Sequence, residues 1–502
     1  MRMVLFFLLP FFLFAKPFKV ATYNVENLFD AHYTGLEYED YTRRHNWTER
    51  MVDIKLNQTA EVICDLDAEI LGLQEIENDQ VLRQLQKKLE AVGCAYPYRA
   101  ITHKTNTPIQ VALLSRFPVS SVKELEVSRA PGVRNILEVA VQAGRYPLYI
   151  FVNHWKSRSR GGWESKRIVY AKALQKRLKQ LPGETEYILL GDFNTDYDAH
   201  LSLEKRINDT NGRTGLHHIL QTTEEETRLP KEEGLHYTLW SELEPGQRWN
   251  TKFYGKKGTP DHILLPYTMF DGKGIDYLNG SFGVMKRGYL FTKRGYINRW
   301  EYKKGKHRGR GYSDHLPLFA YFDTKPYKQD KEAAPLKRKI KQIEYLYTQE
   351  HLADEVVLED AVVIWKRRNN ALIKQRSGGR GIFLYGCAGG LEKGKRYDLL
   401  IRGINSYKGF KEITHAYILQ QKGSVDITKY LLTQSDLAVP SAKRQNELFN
   451  HIVGVYHNGY FYTSRQKFPI YFKKSNMITT NGSKLIIHNA HPVYYNALQL
   501  VV

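Results

Sequence analysis

From residue 18 to residue 322 the chain switches between two spacings of apolar residues, and the switches mark its elements. Short runs rich in Val, Ile, Leu, Phe and Tyr predict strands: KVATYNV (19–25), EILGLQE (69–75), VALLSR (111–116), NILEVAVQA (135–143), PLYIFVNHW (147–155), YILLGDFN (187–194), HILLP (262–266) and HLPLFAYF (315–322). Between them lie helical periods. WTERMVDIKLNQTAEVICDL puts Val52, Leu56, Thr59 and Ile63 on one stripe, QVLRQLQKKLEAV is a second helix, and SKRIVYAKALQKRLKQL aligns Ile168, Ala171, Leu174, Leu178 and Leu181. Several strands are apolar at successive positions, which predicts burial on both faces. The expected architecture is a layered α/β domain with sheets inside and helices outside.

The texture changes past residue 322. DTKPYKQDKEAAPLKRK is polar, holds two prolines and reads as a linker, and KIKQIEYLYTQEHLADEV as a short helix. From 356 onward short apolar runs rich in Tyr, Val and Ile alternate with turns such as NN, SGGRG, HNG and NGS, which predicts an all-β domain. Residues 440–502 either complete its barrel or form a second small one. At the other end, MRMVLFFLLPFFLFA has the layout of a secretory signal peptide with cleavage near Ala15. Its apolar run is too short for a stable membrane anchor, and no later segment reaches spanning length. The expected organisation is a signal peptide over 1–15, a first domain over 16–325, a linker and short helix over 326–355, and a β-rich domain over 356–502. The mature chain is expected to be exported, to the periplasm or the medium, as a monomer without stable membrane insertion.

At 42% apolar and 25% charged, the composition is that of an ordinary globular protein. The charge is not ordinary. Lys and Arg number 74 against 53 acids, a net of +21. Such an excess favours a polyanionic partner, nucleic acid or an anionic membrane surface, against the bland reading that a basic proteome makes basic proteins. Of three cysteines, Cys64 and Cys94 could pair and Cys387 would be left over; the spacing fits no zinc motif.

The candidate chemistry lies at strand ends, in YNVENL, LQEIEN, NHWKSR, GDFNTD, PDHILL and SDHLP. Each alone is weak: Asn24 could be a turn residue, Glu75 a solvated strand end, His154 a satisfied core histidine. Their order and their common placement carry the case. Glu75 and Asn24 offer oxygens, the ligand type hard Mg²⁺ prefers. Asp192 and Asn194, two apart at the end of a strand, are expected to point to one side.

These motifs resemble the endonuclease/exonuclease/phosphatase superfamily, the DNase I-like proteins, over residues 18–322. LQEIEN, GDFN and SDHLP are the most specific pieces. The resemblance implies a four-layered α/β sandwich; the strand–helix alternation agrees without singling it out. It also implies a Mg²⁺ site (Ca²⁺ and Mn²⁺ being alternatives) at Asn24, Glu75 and Asp314, the last set either near the metal or near His315. Asp192 would polarise the attacking water, and Asn194 would fix a phosphate or metal-bound oxygen. His315 would stand beside the scissile phosphate, oriented by Asp261, and His154 would donate to a non-bridging oxygen. One position departs from the secreted enzymes of this kind. They carry a Glu just before the strand matching VALLSR to support the histidine matching His154; here that place is Ile109.

A basic run separates Asp261 from His315. Met285 to Gly311 holds ten Lys or Arg against one Glu, interleaved with Tyr289, Phe291, Tyr296, Trp300 and Tyr302. Basic side chains neutralise phosphates while aromatics stack on bases. The candidates for nucleic-acid contact are Lys293, Arg294, Arg299, Trp300, Arg308 and Arg310, with Lys156, Arg158 and Arg160 just past His154 and RRH (43–45) as a third point. The competing reading is a solvated loop whose aromatics pack on the domain. The region from VVIWKRR to SYKGFKEI resembles an OB-fold of the kind appended to bacterial extracellular nucleases, with Trp365, Lys366, Arg367, Tyr407 and Lys408 as its candidate ligand face. The competing reading there is a purely structural β-domain. The leading expectation is an exported, metal-dependent nuclease acting on DNA, with RNA as a second candidate substrate. The alternatives are a lipid or inositol-phosphate phosphodiesterase or phosphatase of the same superfamily, and a non-catalytic DNA-binding or toxin-subunit protein.

Overall fold

The structure is a computed structural model that describes residues 17–159, 161–324, 333, 336–438, 445–464, 466–472, 480–494 and 498–502. The expected signal peptide, most of the linker and Arg160 lie outside these residues. The chain divides into two units, the second formed by Glu244–Gln247 and Lys337–Val502. The division falls inside the stretch read as linker and short helix. Among the described residues, no helix is long and apolar enough to cross a membrane.

In the first unit the chain runs β1 (Phe18–Leu28), α1 (Glu49–Leu66), β2 (Ile70–Ile76), α2 (Asp79–Ala91), β3 (Tyr98–Ile101), β4 (Gln110–Ser115), β5 (Val119–Leu125), β6 (Ile136–Ala143), β7 (Tyr146–His154), α3 (Glu164–Leu178) and β8 (Tyr187–Asp192). It continues with the short strands β9 (Thr222–Thr223), β10 (His236–Thr238), β11 (Thr251–Phe253) and β12 (Lys256–Gly258), then β13 (Asp261–Leu265), β14 (Asp276–Tyr277), β15 (Gly283–Val284), β16 (Tyr302–Lys303), β17 (Lys306–His307) and β18 (Leu318–Asp323). One sheet has the order β14-β18-β1-β2-β4-β3 with β15 beside β18; the other is β5-β6-β7-β8-β13-β10-β9.

The alternation of side chains along each strand sorts them into layers. Val20, Ile70, Val111, Leu113 and Ala320 of the first sheet meet Val139, Ile150, Val152, Ile188, Leu190 and Ile263 of the second in one core. The sheets approach so closely at Gly72 that a Cβ there would fall 2.3 Å from Leu190 Cδ1. The opposite face of the first sheet, with Tyr23, Val25, Leu71 and Leu73, packs on Val52, Leu56 and Ile63 of α1 and Val81, Leu85 and Leu89 of α2. The opposite face of the second, with Phe151, Leu189 and Leu264, packs on Tyr170, Ala171 and Leu174 of α3. The result is the expected four-layered sandwich. Thr48 and Asn78 cap α1 and α2, their side chains accepting from the Met51 and Val81 amides. A Cys64–Cys94 disulfide, Cα atoms 5.7 Å apart, joins the ends of the two helices, and Cys387 is free.

The second unit is all-β, as expected. It contains β19 (Arg338–Ile340), β20 (Glu355–Arg367), β21 (Asn370–Lys374), β22 (Gly381–Leu384), β23 (Lys395–Tyr407) and β24 (Phe410–Ser424), then β25 (Ile452–His457), β26 (Tyr460–Tyr462), β27 (Lys467–Tyr471), β28 (Lys484–Ile487), β29 (His491–Tyr494) and β30 (Leu498–Val501). The first sheet follows β19-β20-β21-β22-β24-β23, and β23 pairs back to β20, so five strands close on themselves with β22 and β24 parallel. The last six strands form a separate sheet, β28-β25-β26-β27-β30-β29. Of the helix expected over 339–356, only the turn Ile343–Leu346 forms; Arg338–Ile340 is drawn into the sheet beside β20.

Candidate active site

The strand pleat explains why distant residues meet. On β1, Phe18 and Val20 face the inter-sheet core, and the same parity continues to Asn24 at the strand's far end. On β7 the inward series Leu148, Ile150, Val152 ends at His154, and on β8 Ile188 and Leu190 lead to Asp192. On antiparallel β13 the series Leu265, Ile263 ends at Asp261, whose register partner is Asp192. Four polar residues thus crown the apolar filling between the sheets at one end.

Glu75 breaks this parity. Alternation from Leu71 and Leu73 would send it to the helix-covered face. Instead the β2 register slips against both neighbours between residues 74 and 76, and Glu75 adopts a φ of 66°. The bulge re-aims the side chain into the site, at the cost of a left-handed backbone that a non-glycine residue resists by roughly 1–3 kcal/mol. There the Asn24 amide donates to Glu75 Oε1 at 3.1 Å and to Asp192 Oδ2 at 3.2 Å. His154 Nε2 faces the same two oxygens at 3.7 and 3.6 Å. The Asn27 amide holds Glu75 Oε2 at 2.9 Å.

A second group adjoins the first. His315 Nδ1 lies 2.6 Å from Asp261 Oδ2. The same carboxylate oxygen receives the Asn250 amide at 2.5 Å. Asp192, Asp261 and His315 offer atoms that all lie within 4.8 Å of one another. Ser313 ties the segment down: its hydroxyl donates to the Asn24 carbonyl at 2.7 Å and accepts from the His315 amide at 3.1 Å.

The electrostatics sort these groups into roles. Burial raises the Asp192 carboxyl to about 7, reinforced by Asp261 and opposed by His315. Burial and Asp314 raise Glu75. His154 is held well below its ordinary value by burial and by the Arg134 charge, so it is neutral. Burial works to lower His315 too, but the Asp261 charge and hydrogen bond overcome it and raise it well above the ordinary value. As built, the carboxylates are crowded and desolvated, and a divalent cation would relieve that. The donors are carboxylate oxygens, which suit Mg²⁺, Ca²⁺ or Mn²⁺. The tight Asp261–His315 contact is a hydrogen-bonded ion pair, and the desolvated carboxylates of Asp192 and Glu75 stand beside it.

Several expected contacts turn out otherwise. Asn24 Oδ1 accepts the Glu26 amide at 3.1 Å, and its NH₂ end faces the carboxylates. Asn194 does not continue the pleat of Asp192. β8 ends at Asp192, the Asn194 amide closes a turn onto Asp192 Oδ1 at 2.8 Å, and the Asn194 side chain donates to the Trp155 carbonyl. Ile109 is buried in the apolar cluster under α1 and α2, and His154 Nδ1 finds no hydrogen-bond partner among the described residues. The supporting carboxylate is absent from the place where it was sought.

On the rim, Trp300 is 3% exposed. It packs edge-on to Trp47 and donates Nε1–H to His307, so it offers no face to a ligand. Arg299 is committed to Glu26 through Nε at 3.0 Å and sits 3.7 Å from Asp314. Arg158 is committed to the Asn194 carbonyl and to Asp196. Lys293, Arg294, Arg308 and Arg310 are exposed, and Lys156 is half-buried. Of the run's aromatics, Tyr296 and Tyr302 are exposed. In the second unit Arg367, Tyr407 and Lys408 are exposed, whereas Lys366 spends its ammonium on the Arg368 and Ala388 carbonyls.

Two residues that matter here went unread in the sequence. Glu26, at φ 54°, receives Arg299 and the Trp300 amide, and burial and Asp314 raise its carboxyl to about 7. Lys55 is buried under it, donates to the Tyr312 carbonyl at 2.8 Å and lies 4.9 Å from the Trp300 ring centroid. Lys55 carried a signal: it falls on the apolar stripe of α1, where a lysine needs a buried partner. The hairpin β11–β12 also went unread. It begins at Thr251, bridged to His315, and carries the exposed Phe253 and Tyr254 among Lys252, Lys256 and Lys257.

A family model described as the endonuclease/exonuclease/phosphatase family matches residues 19–324. No curated protein matches the chain. Among solved structures the chain is similar to an endonuclease/exonuclease/phosphatase family protein from Bacteroides thetaiotaomicron, at 14% identity and a TM-score of 0.39, covering 62% of this chain and 98% of that one. It is similar to an AP endonuclease from Archaeoglobus fulgidus, at 14% identity and a TM-score of 0.39, over 60% and 98% of the two chains. It is also similar to truncated TDP2 from Caenorhabditis elegans, at 13% identity and a TM-score of 0.37, over 61% and 98%.

Proposed function

Since this chain belongs to the endonuclease/exonuclease/phosphatase family, a family of phosphoester hydrolases, we propose that it is a divalent-metal-dependent phosphodiesterase, exported from the cell, that cleaves nucleic acid, DNA foremost. One observation carries the reading: Glu75, Asp192 and the Asp261–His315 pair, drawn from across the first unit, converge with His154 at one end of the inter-sheet core.

Glu75 and Asp314 would hold the cation, which when bound would withdraw charge from a phosphoryl oxygen and steady the departing one. The chain's own groups supply the rest. Asp192 orients the attacking water and accepts its proton. Asn24 holds the Asp192 and Glu75 carboxylates in place. His315, kept charged by Asp261, presents Nε2 to the phosphate and offsets its growing charge. Neutral His154 donates to a non-bridging oxygen.

The exposed cations of the 285–311 run favour a polyanionic substrate. The second reading, a lipid or inositol-phosphate phosphodiesterase, draws on Phe253 and Tyr254, an exposed aromatic tip beside His315. One assay separates them. Purified protein is incubated with plasmid DNA, RNA, sphingomyelin and inositol phosphates, with and without chelator. Chelator-sensitive loss of DNA supports the nuclease, and turnover of the lipid or inositol substrates alone supports the second reading.

A further inference from the structure

The last sheet of the chain has an outer face that nothing in the catalytic reading uses. Across β28, β25, β26 and β27 the side chains alternate, whereas Val493 of β29 and Val501 of β30 are buried in a neighbouring cluster. Ile452, Phe461, Phe468, Ile487 and Leu500 point inward and form a core of their own. The opposite parity is exposed: Val455 and His457 on β25, Tyr460 and Tyr462 on β26, Lys467 and Tyr471 on β27, Lys484 and Ile486 on β28.

Register sets these side chains in rows. Val455 lies between Lys484 on one side and Tyr462 on the other, and Tyr462 is opposite Lys467. The row therefore reads Lys–Val–Tyr–Lys, about 14 Å from end to end at the usual strand spacing. The next row places His457 opposite Tyr460 and Tyr460 opposite Pro469. Lys467 Nζ sits 4.9 Å from the Tyr460 ring centroid and 6.0 Å from that of Tyr462. An exposed face of aromatic and aliphatic side chains with a lysine at each end is costly to leave in water unless it meets a partner.

The sequence states what sign that partner carries. From Leu448 to Val502 there is no Asp or Glu, while Arg465, Lys467, Lys473, Lys474 and Lys484 all fall in this stretch. A protein surface normally mixes both signs. Excluding every acid from a segment that also displays stacking rings suits a ligand that is anionic along its length and planar between its charges.

We propose that the outer face of this sheet binds single-stranded nucleic acid, with Tyr460 and Tyr462 stacking on bases and Lys467 and Lys484 neutralising flanking phosphates. A single strand is specified because a duplex hides its base faces from the rings. A neutral glycan would stack on the tyrosines but gives no reason to exclude acids. The inference goes beyond the catalytic reading and needs no hydrolysis.

The test uses the full-length protein in excess chelator, with a fluorescein-labelled oligo(dT) strand as probe and anisotropy as readout. Tyr460→Ala with Tyr462→Ala is expected to weaken binding by about tenfold or more, on the scale of one or two lost stacks. Tyr460→Phe with Tyr462→Phe keeps the rings and is expected to keep the affinity. Lys467→Ala with Lys484→Ala, both exposed and harmless to folding, is expected to lower the log–log salt slope by about 1.4, the amount for two phosphate contacts on a single strand. Unchanged affinity in the alanine pair, or an unchanged salt slope in the lysine pair, overturns the proposal. So does a labelled duplex or heparin binding as tightly as the single strand and losing as much in the same variants. If oligo(dT) binds this face but no nucleic acid is hydrolysed, the catalytic reading fails and this one stands; the reverse pattern sinks this one alone.

Discussion

Asp261 Oδ2 and His315 Nδ1 lie 2.6 Å apart, although 54 residues separate them in sequence. The contact is the main reason His315 stays charged against burial. Asp261→Asn keeps the shape and removes the charge. The His315 pKa, read by NMR, should then fall, and kcat should drop by about 10²–10⁴. An unchanged imidazole pKa would mean that Asp261 does not orient it.

The basic run is anchored at its return by Glu26, which takes Arg299 and the Trp300 amide. Glu26→Ala leaves the half-exposed Arg299 without its partner and the buried Trp300 amide without an acceptor. We expect a loss of about 1–3 kcal/mol in chemical denaturation and faster tryptic cleavage within 285–311. Equal cleavage rates in both proteins would show that the anchor lies elsewhere.

Lys293, Arg294 and Arg310 of that run are exposed, as is Arg308, which also donates to the Lys303 carbonyl. If they meet phosphates, DNA hydrolysis falls steeply with added salt, and Lys293→Ala with Arg294→Ala raises KM while sparing kcat. A flat salt response would favour a small or lipid substrate.

Stability carries its own pH signature. His236 is buried, donates Nδ1–H to the Leu220 carbonyl at 2.6 Å and accepts from the Tyr187 hydroxyl at 2.9 Å. Burial lowers its pKa from 6.5 to about 4. A lowered folded value means the unfolded chain binds the proton first. The histidine's contribution is therefore whole above pH 6.5 and is lost as pH falls toward 4, about 3 kcal/mol in total. Denaturation of wild type and His236→Gln should give stabilities that draw together over that window. A constant gap would contradict the buried neutral imidazole.

Much of this site was legible because strand ends are legible. Asn24, His154, Asp192 and Asp261 continue the inward parity of apolar runs that a period of two exposes in the sequence. The turn of Glu75 into the site was not, since a bulge is a property of pairing with β1 and β4 rather than of LQEIEN itself. The basic run misled in a particular way. Trp300 was offered as a nucleic-acid contact yet is buried against Trp47, and Arg299, like Arg158 outside the run, is spent on an acid, Glu26 and Asp196 respectively. Opposite charges far apart in sequence cancel in ways that local composition does not register. Sheets inside and helices outside followed from periodicity in the first unit, whereas the four-layered arrangement came from the resemblance. The helix expected after residue 338 did not form as such, because pairing with β20 claimed Arg338–Ile340.

The most direct test is nicking of supercoiled plasmid by purified full-length protein, with Mg²⁺ or with chelator, for the wild type, Asp192→Ala and His315→Ala. The account predicts nicking by the wild type with Mg²⁺, none with chelator, and losses of about 10² or more in both variants while their circular dichroism stays native. Full activity in either folded variant, or nicking that survives the chelator, would contradict it.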